Sequence, residues 1–239
     1  MNLNELAGRM IETRNAVVFT GAGMSTESGL SDFRSKGGMW NVEDPMELAT
    51  TSAMRGNYEK FHAFYSSRFE QMASARPNEG HKILAQWEQR GLVSCIITQN
   101  IDGLHSAAGS GVIHELHGSV NAVRCMECGA PSSQVEFIDA KPCASCGGRL
   151  RPGVVLFGES LPADALDASW AASETAGVFL VLGSSLQVSP ANQMPVLANR
   201  AGAVVVICNR DVTPMDYLAG YRTSEGIGEF LRKLDAEIG

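Results

Sequence analysis

Asn15–Arg34 reads NAVVFTGAGMSTESGLSDFR. Its apolar run, Ala16-Val17-Val18-Phe19, has the composition of a buried parallel strand, and it ends in Thr20-Gly21-Ala22-Gly23 with a small polar segment behind it. A strand that runs into a glycine turn is one way to bring backbone N–H groups up to a phosphate. Such a turn needs company: further strands alternating with helices, whose polar ends share one crevice with it.

That pattern recurs downstream. Leu92-Val93-Ser94-Cys95-Ile96-Ile97 reads as a second buried strand and ends in Thr98-Gln99-Asn100-Ile101-Asp102-Gly103-Leu104-His105. A short strand over Val112–Leu116 includes His114 and leads to His117, and strand signals resume at Val154–Phe157, Val178–Leu182 and Ala203–Ile207. Helical spacing of apolar residues covers 3–13, 57–72, 79–90, 162–175, 190–200 and 225–237, and no strand-like run occurs between Leu30 and Ala75. The alternation predicts an α/β fold with a Rossmann-like, doubly wound parallel sheet. In such a sheet the segments TGAGMS, TQNIDGLH, GSSLQVSP and CNRD, each following a strand, line one crevice beyond the carboxyl ends.

The totals narrow the class of partner. The chain has 239 residues, 44% hydrophobic and 19% charged, which suits one large globular unit carrying a smaller insert. A net charge of −7 and a pI near 5.3 leave no basic surplus to neutralise phosphates, so a nucleic-acid partner is not expected. No segment offers the ~20 apolar residues that span a bilayer, so no membrane partner is expected either. The stretch MNLNELAGRMIETRN lacks the basic-then-apolar order of a signal peptide, and a cytoplasmic protein with reduced thiols is expected.

Reduced thiols matter because residues 120–152 hold four cysteines, with Gly and Pro but few large apolar groups. Cys125-x-x-Cys128 and Cys143-x-x-Cys146 have fourteen residues between them. Two such pairs supply four thiolates in a tetrahedron, the donor set of a structural zinc ion with no open position for a catalytic water. Cys95 and Cys208 fall in strand patterns and read as small buried apolar residues.

The glycine turn is an incomplete dinucleotide fingerprint. Its third position is Thr26, and no second strand with an acidic tip follows ~20 residues later. An ordinary hydride-transfer enzyme is therefore disfavoured, while nucleotide binding and a purely structural turn both stay open. His117, in Glu115-Leu116-His117-Gly118-Ser119, is either structural or a base; an imidazole with a pKa of ~6.5 serves as one at neutral pH. His105 and His114 come second, and His62 and His81 sit in helix patterns as packing or surface residues.

Taken together, GAGMSTESGLSDFR, TQNIDGLH, ELHGS, the paired cysteines, VVLFGE and GSSLQVSP resemble, in matching order, the sirtuins, which are NAD-dependent protein lysine deacylases. The resemblance runs from about Leu3 to Leu234. It implies a Rossmann-like NAD-binding domain from about 1–30, 76–119 and 153–239, and a small domain from about 31–75 (helical) and 120–152 (zinc ribbon). Acyl-lysine side chains of protein substrates would enter between them, and NAD would be consumed as co-substrate. Nicotinamide leaves, an alkylamidate forms, a histidine base activates the ribose hydroxyls, and free lysine and O-acyl-ADP-ribose result.

The resemblance also assigns residues. His117 becomes the catalytic base, with Asn100 ordering the ribose or a water. Ile101 and Asp102 hold the carboxamide. Gly21, Ala22, Gly23, Ser25, Phe33, Arg34 and Trp40 belong to the cofactor loop, with Gln99, Gly183, Ser184 and Ser185 at the ribose and phosphates and Asn209, Arg210, Asp211 and Thr223 towards the adenosine. Val154, Val155, Phe157, Gly158 and Glu159 run beside the substrate peptide. The alternative within enzymes is mono-ADP-ribosyl transfer by the same NAD cleavage, and a monomer is expected.

Tyr65 and Arg68 lie three apart on the 57–72 helix and so share a face, where hydroxyl and guanidinium can grip one carboxylate. That Tyr-x-x-Arg is similar to the sirtuin subgroup that removes malonyl, succinyl or glutaryl groups. The other reading packs Tyr65 in the core and leaves Arg68 solvated. Lys36 departs from the small alanine of that subgroup.

Overall fold

The apolar runs form strands without alternation because both faces of their sheet are covered. The computed structural model describes residues 1–33, 38, 39 and 44–239. In chain order the described residues form α1 (Leu3–Thr13), β1 (Ala16–Thr20), α2 (Pro45–Leu48), α3 (Thr51–Gly56), α4 (Tyr58–Ser74), α5 (Glu79–Gln89), β2 (Val93–Thr98), α6 (Leu104–Ala107), β3 (Ile113–Glu115), β4 (Gly118–Cys125), β5 (Pro131–Ser132), α7 (Gln134–Ile138), β6 (Leu150–Val154), α8 (Ala163–Thr175), β7 (Val178–Leu182), α9 (Met194–Arg200), β8 (Val204–Cys208), β9 (Tyr221–Thr223) and α10 (Ile227–Ile238).

Six of these strands lie parallel in the order β3-β2-β1-β7-β8-β9. The order reverses between β1 and β7, and that switch point is where a doubly wound sheet opens a crevice for a ligand. Register places the last residues of all six strands in one row: Glu115, Thr98, Thr20, Leu182, Cys208 and Thr223 are successive partners. The loops beyond them therefore start from a common level.

Alternate residues of the strands feed two cores. Ala16, Val18, Leu180 and Val206 pack with Leu6 and Met10 of α1, Leu84 and Trp87 of α5, and Phe230 and Leu234 of α10. Val17, Phe19, Phe179 and Ile207 pack on the other face with Met194 and Ala198 of α9 and with Leu166 and Trp170 of α8. Each large side chain buried this way contributes roughly 2 kcal/mol. The helices begin where the sequence caps them: Asn2 and Glu5 form a reciprocal box on α1, Asn57 accepts from Lys60 N at the start of α4, and Asn78 accepts from His81 N at the start of α5.

A second, three-stranded antiparallel sheet has the order β5-β4-β6 and carries the cysteines. Its apolar side merges with α4: Phe61, Tyr65 and Phe69 share one cluster with Val120, Val123, Phe137, Leu150, Val154, Cys125 and Cys143. Here one expectation is corrected. The strand predicted at Val154–Phe157 is β6, which runs earlier, from Leu150 to Val154, and the chain leaves the sheet at Val155. The 190–200 helix divides into a short 3-10 turn at Ala191–Gln193 followed by α9. Among the described residues no helix is long and apolar enough to cross a membrane.

Candidate active site

At the switch point the turn after β1 meets the turn after β7 with no room for side chains. Gly23 N donates to Gly183 O at 2.9 Å, and a Cβ on Gly23 would stand 2.7 Å from the Gly183 Cα. Gly183 has a φ of 65°, and a Cβ there would meet Met24 N at 2.5 Å. The N–H groups of Gly21, Gly23 and Met24 donate to Leu182, Gly183 and Gly21 carbonyls. The glycines thus bring two backbones together and keep the floor of the crevice bare.

The polar end of β2 is tied to the same turn. Asn100 Nδ2 donates to Gly21 O at 3.0 Å and to Ser25 Oγ at 3.2 Å, and Ser25 Oγ donates to Asp102 Oδ2 at 2.7 Å. The other Asp102 oxygen accepts from Leu104 N at 2.9 Å. His117 places Nδ1 3.0 Å from Gln99 O. A carbonyl only accepts, so Nδ1 carries the proton and the basic lone pair sits on Nε2. The Gln99 side chain in turn accepts from Ser184 Oγ at 2.8 Å, linking the histidine's support to the loop after β7.

Beneath these groups lies a buried pair, made of the second-choice base His105 and of His81, which the sequence placed in a helix pattern without linking the two. The rings of His81 and His105 stand 4.7 Å apart. His81 Nδ1 donates to Asn78 Oδ1 (2.8 Å), and Asn78 Nδ2 donates to Met24 O. Thr20 Oγ1 donates to Thr98 Oγ1, so His105 Nε2 is the donor in its 3.0 Å contact with Thr20 Oγ1. The remaining nitrogens, His81 Nε2 and His105 Nδ1, are buried acceptors with no hydrogen-bond partner among the described residues. Burial holds the two imidazoles down to about 4 and about 3, so both are neutral at pH 7.

Together these elements enclose a cavity of about 620 Å³, within the usual range for a ligand site. Gly21, Ala22, Gly23, Ser25, Phe33, Gln99, Asn100, Ile101, Asp102, His117, Gly183, Ser184, Ser185, Asn209, Arg210 and Asp211 all line it. Four loops predicted to share a crevice do so. Thr223 stands behind the lining: its carbonyl accepts from Asn209 N (3.1 Å) and its hydroxyl from Glu225 N (3.2 Å), so it shapes the Asn209 loop. Arg34, Lys36 and Trp40 lie outside the described residues.

The cavity continues to a second group of predicted residues. Tyr65, Arg68, Val154, Val155, Phe157, Gly158 and Glu159 line it as well. Tyr65 packs against Phe61 and Phe64 (4.7 and 5.0 Å between centroids), and burial raises its pKa. Arg68 is buried rather than solvated, at 5% exposure. Its guanidinium lies 5.8 Å from the Phe33 ring, Nη1 donates to Gln71, and burial lowers its pKa. Among the described residues Arg68 forms no ion pair. Beyond β6, Val155 N donates to His117 O, Phe157 N to Ala49 O, and Thr51 N to Phe157 O.

The four cysteines converge away from the cavity. All their Sγ atoms lie within 4.8 Å of one another, with Cys125–Cys146 at 3.5 Å and Cys128–Cys143 at 3.7 Å. Thiolates around a tetrahedral zinc, with Zn–S near 2.3 Å, stand about 3.8 Å apart, so the set fits that ion. Backbone N–H groups point at the sulfurs, from Glu127 to Cys125 (3.3 Å) and from Ser145 to Cys143 (3.4 Å), which favours the thiolate form that binds metal.

The Sir2 family model matches residues 21–190. An NAD-dependent protein deacetylase of Oceanobacillus iheyensis is 47% identical over 228 residues, covering 95% of this chain and 97% of its own. An NAD-dependent protein deacylase of Aquifex aeolicus is 44% identical over 229 residues, covering 94% and 95%. Among solved structures, a Sir2–p53 peptide–NAD+ complex has a TM-score of 0.90 at 36% identity, covering 99% of this chain and 98% of that one. With a glycine-floored crevice at the switch point and a four-cysteine sheet beside it, this chain belongs to the Sir2 family.

Proposed function

We propose that this protein is an NAD-dependent protein lysine deacylase that transfers the acyl group to ADP-ribose. The observation that carries the reading is the convergence of Asn100, Asp102 and His117 on a crevice whose glycine floor admits a dinucleotide backbone, in a chain of this family. NAD, when bound, supplies a glycosidic bond that cleaves to release nicotinamide and leaves a sugar carbon to accept the acyl oxygen. Asp102 and the Ile101 backbone orient the carboxamide, with Ser25 and Leu104 N fixing the Asp102 carboxylate. Asn100 is held by Gly21 and Ser25 and orders a ribose hydroxyl or a water. His117, its Nδ1–H on Gln99 O, takes a proton at Nε2 from the ribose. Gly183, Ser184 and Ser185 meet the ribose and phosphates, and Asn209, Arg210 and Asp211 the adenosine end. The acyl-lysine peptide lies along Val154–Glu159 as an added strand.

The acyl pocket is read as accepting acidic groups. Arg68 is a buried cation that no carboxylate contacts among the described residues, Asp102 acting on it only from a distance, and a buried charge without a contacting partner is costly. A malonyl or succinyl carboxylate held by Arg68 and the Tyr65 hydroxyl would compensate it. Residues of about 1–30, 76–119 and 153–239 form the dinucleotide-binding unit and those of about 31–75 and 120–152 the smaller one. The protein works as a cytoplasmic monomer.

The test is a panel of acetyl and succinyl versions of one lysine peptide with NAD, following nicotinamide and peptide mass. Nicotinamide and free lysine form in equal amounts, and Arg68→Met lowers succinyl turnover by about tenfold or more relative to acetyl turnover. ADP-ribose fixed to protein without acyl loss would replace the reading by mono-ADP-ribosyl transfer. Intact succinyl turnover in Arg68→Met would remove the carboxylate clamp alone.

A further inference from the structure

Glu159 lines the cavity, yet its carboxylate is already engaged inside the protein. Arg151, only 5% exposed, donates Nη1 to Glu159 Oε1 (2.5 Å) and Nη2 to Glu159 Oε2 (2.9 Å). The same guanidinium donates Nη2 to Val154 O (2.7 Å) and Nε to Pro152 O (3.2 Å), while Leu156 N donates to Glu159 Oε2 (2.9 Å). Five hydrogen bonds thus close a ring around residues 152–159, from the last residues of β6 to the far end of the peptide-side segment. Past Val154 that segment has left the three-stranded sheet and is held from outside by His117 O and by residues 49–51.

We propose that Arg151 is a positioning residue for the acyl-peptide: through Glu159 it holds Val154–Glu159 in the shape against which the substrate backbone lies. This rests on the deacylase reading. Two features favour positioning over mere stabilisation. A buried ion pair contributes little to stability compared with apolar side chains of the same volume, whereas a planar guanidinium that grips two carbonyls and both oxygens of one carboxylate fixes direction as well as distance. The pair also sits where two substrate features meet, because Arg151 and Glu159 both bear electrostatically on Tyr65 in the acyl pocket. Without the ring, the peptide would have to order this segment itself, at the cost of the lost backbone freedom.

The test is steady-state kinetics of the purified protein and its Arg151→Gln, Arg151→Lys and Glu159→Gln variants, with direct binding of a labelled acyl-lysine peptide. Arg151→Gln is expected to raise KM for the acyl-peptide about tenfold and weaken peptide binding alike, with KM for NAD within about twofold of the original. Arg151→Lys recovers part of the loss, since an ammonium cannot form the fork. A folded Arg151→Gln with unchanged peptide KM, or one in which both KM values rise together, overturns the proposal. If Arg151→Gln does not fold, Glu159→Gln must show the same split, and an unchanged peptide KM there overturns it. Unmodified protein that neither binds nor deacylates the peptide overturns the deacylase reading and this inference together.

Discussion

The six-stranded and three-stranded sheets are made of opposite kinds of sequence. β1 and β7 are buried at every position and contain only apolar residues and one threonine. β4 mixes buried and exposed positions and breaks register between Ser119 and Val123, and β6 contains Arg151, Pro152 and Gly153. The large sheet draws its stability from two apolar cores on its faces, whereas the small one shares a single cluster with α4 in which Cys125 and Cys143 are members. The contrast assigns the two walls of the crevice. The floor of glycines, Asn100 and Asp102 stands on hydrophobic packing, and the wall with Tyr65 and Arg68 leans on a sheet stapled by thiolates.

Metal removal breaks the comparison most. Structural zinc contributes about 10 kcal/mol or more to small domains that fold around it. Chelation, or Cys143→Ala, should therefore strip hydrogen-exchange protection from β4 and β6 while β1, β2, β7 and β8 keep theirs. Equal loss in both sheets would erase the distinction. Next comes His117, which lies between the two and is steadied by Gln99 at the end of β2. His117→Ala should lower turnover about 10²–10⁴-fold while calorimetry still finds NAD binding, and full activity would remove His117 from the mechanism.

The smallest effect is a pH dependence belonging to the large sheet alone. His81 and His105 have folded pKa values of about 4 and about 3, below the unfolded 6.5. Between those values the unfolded chain binds more protons, so stability is full above pH 6.5 and falls as pH drops towards 4 for His81 and towards 3 for His105. At pH 5 each histidine should cost about 2 kcal/mol, read as a lower urea midpoint than at pH 7.5. An unchanged midpoint would mean that both imidazoles accept protons in the folded state.

The large sheet was legible because strands covered on both faces leave continuous apolar runs, and their polar ends named the crevice. β6 was not, because its register is imposed by pairing with β4 over Arg151, Pro152 and Gly153, while the apolar run that looked like a strand begins where pairing stops. Edge strands such as Tyr221–Thr223 are too short to show a period. The Arg151–Glu159 ring left no signal, since eight residues of separation match neither helix nor strand contact. The buried histidines were hidden for a related reason: α5 and α6 approach each other only in three dimensions, so two unremarkable positions become a pair.

The common row formed by Glu115, Thr98, Thr20, Leu182, Cys208 and Thr223 bears on which length changes the protein tolerates. Deleting one residue inside any of these strands would withdraw its loop by about 3.3 Å and turn core side chains to the opposite face. Adding residues beyond the row leaves strand pairing and core in place, except at Gly21–Met24 and Gly183, where the two turns are packed on each other. Diversification of the crevice is thus confined to one side of a line drawn across the sheet, where loops can lengthen while every strand keeps its count.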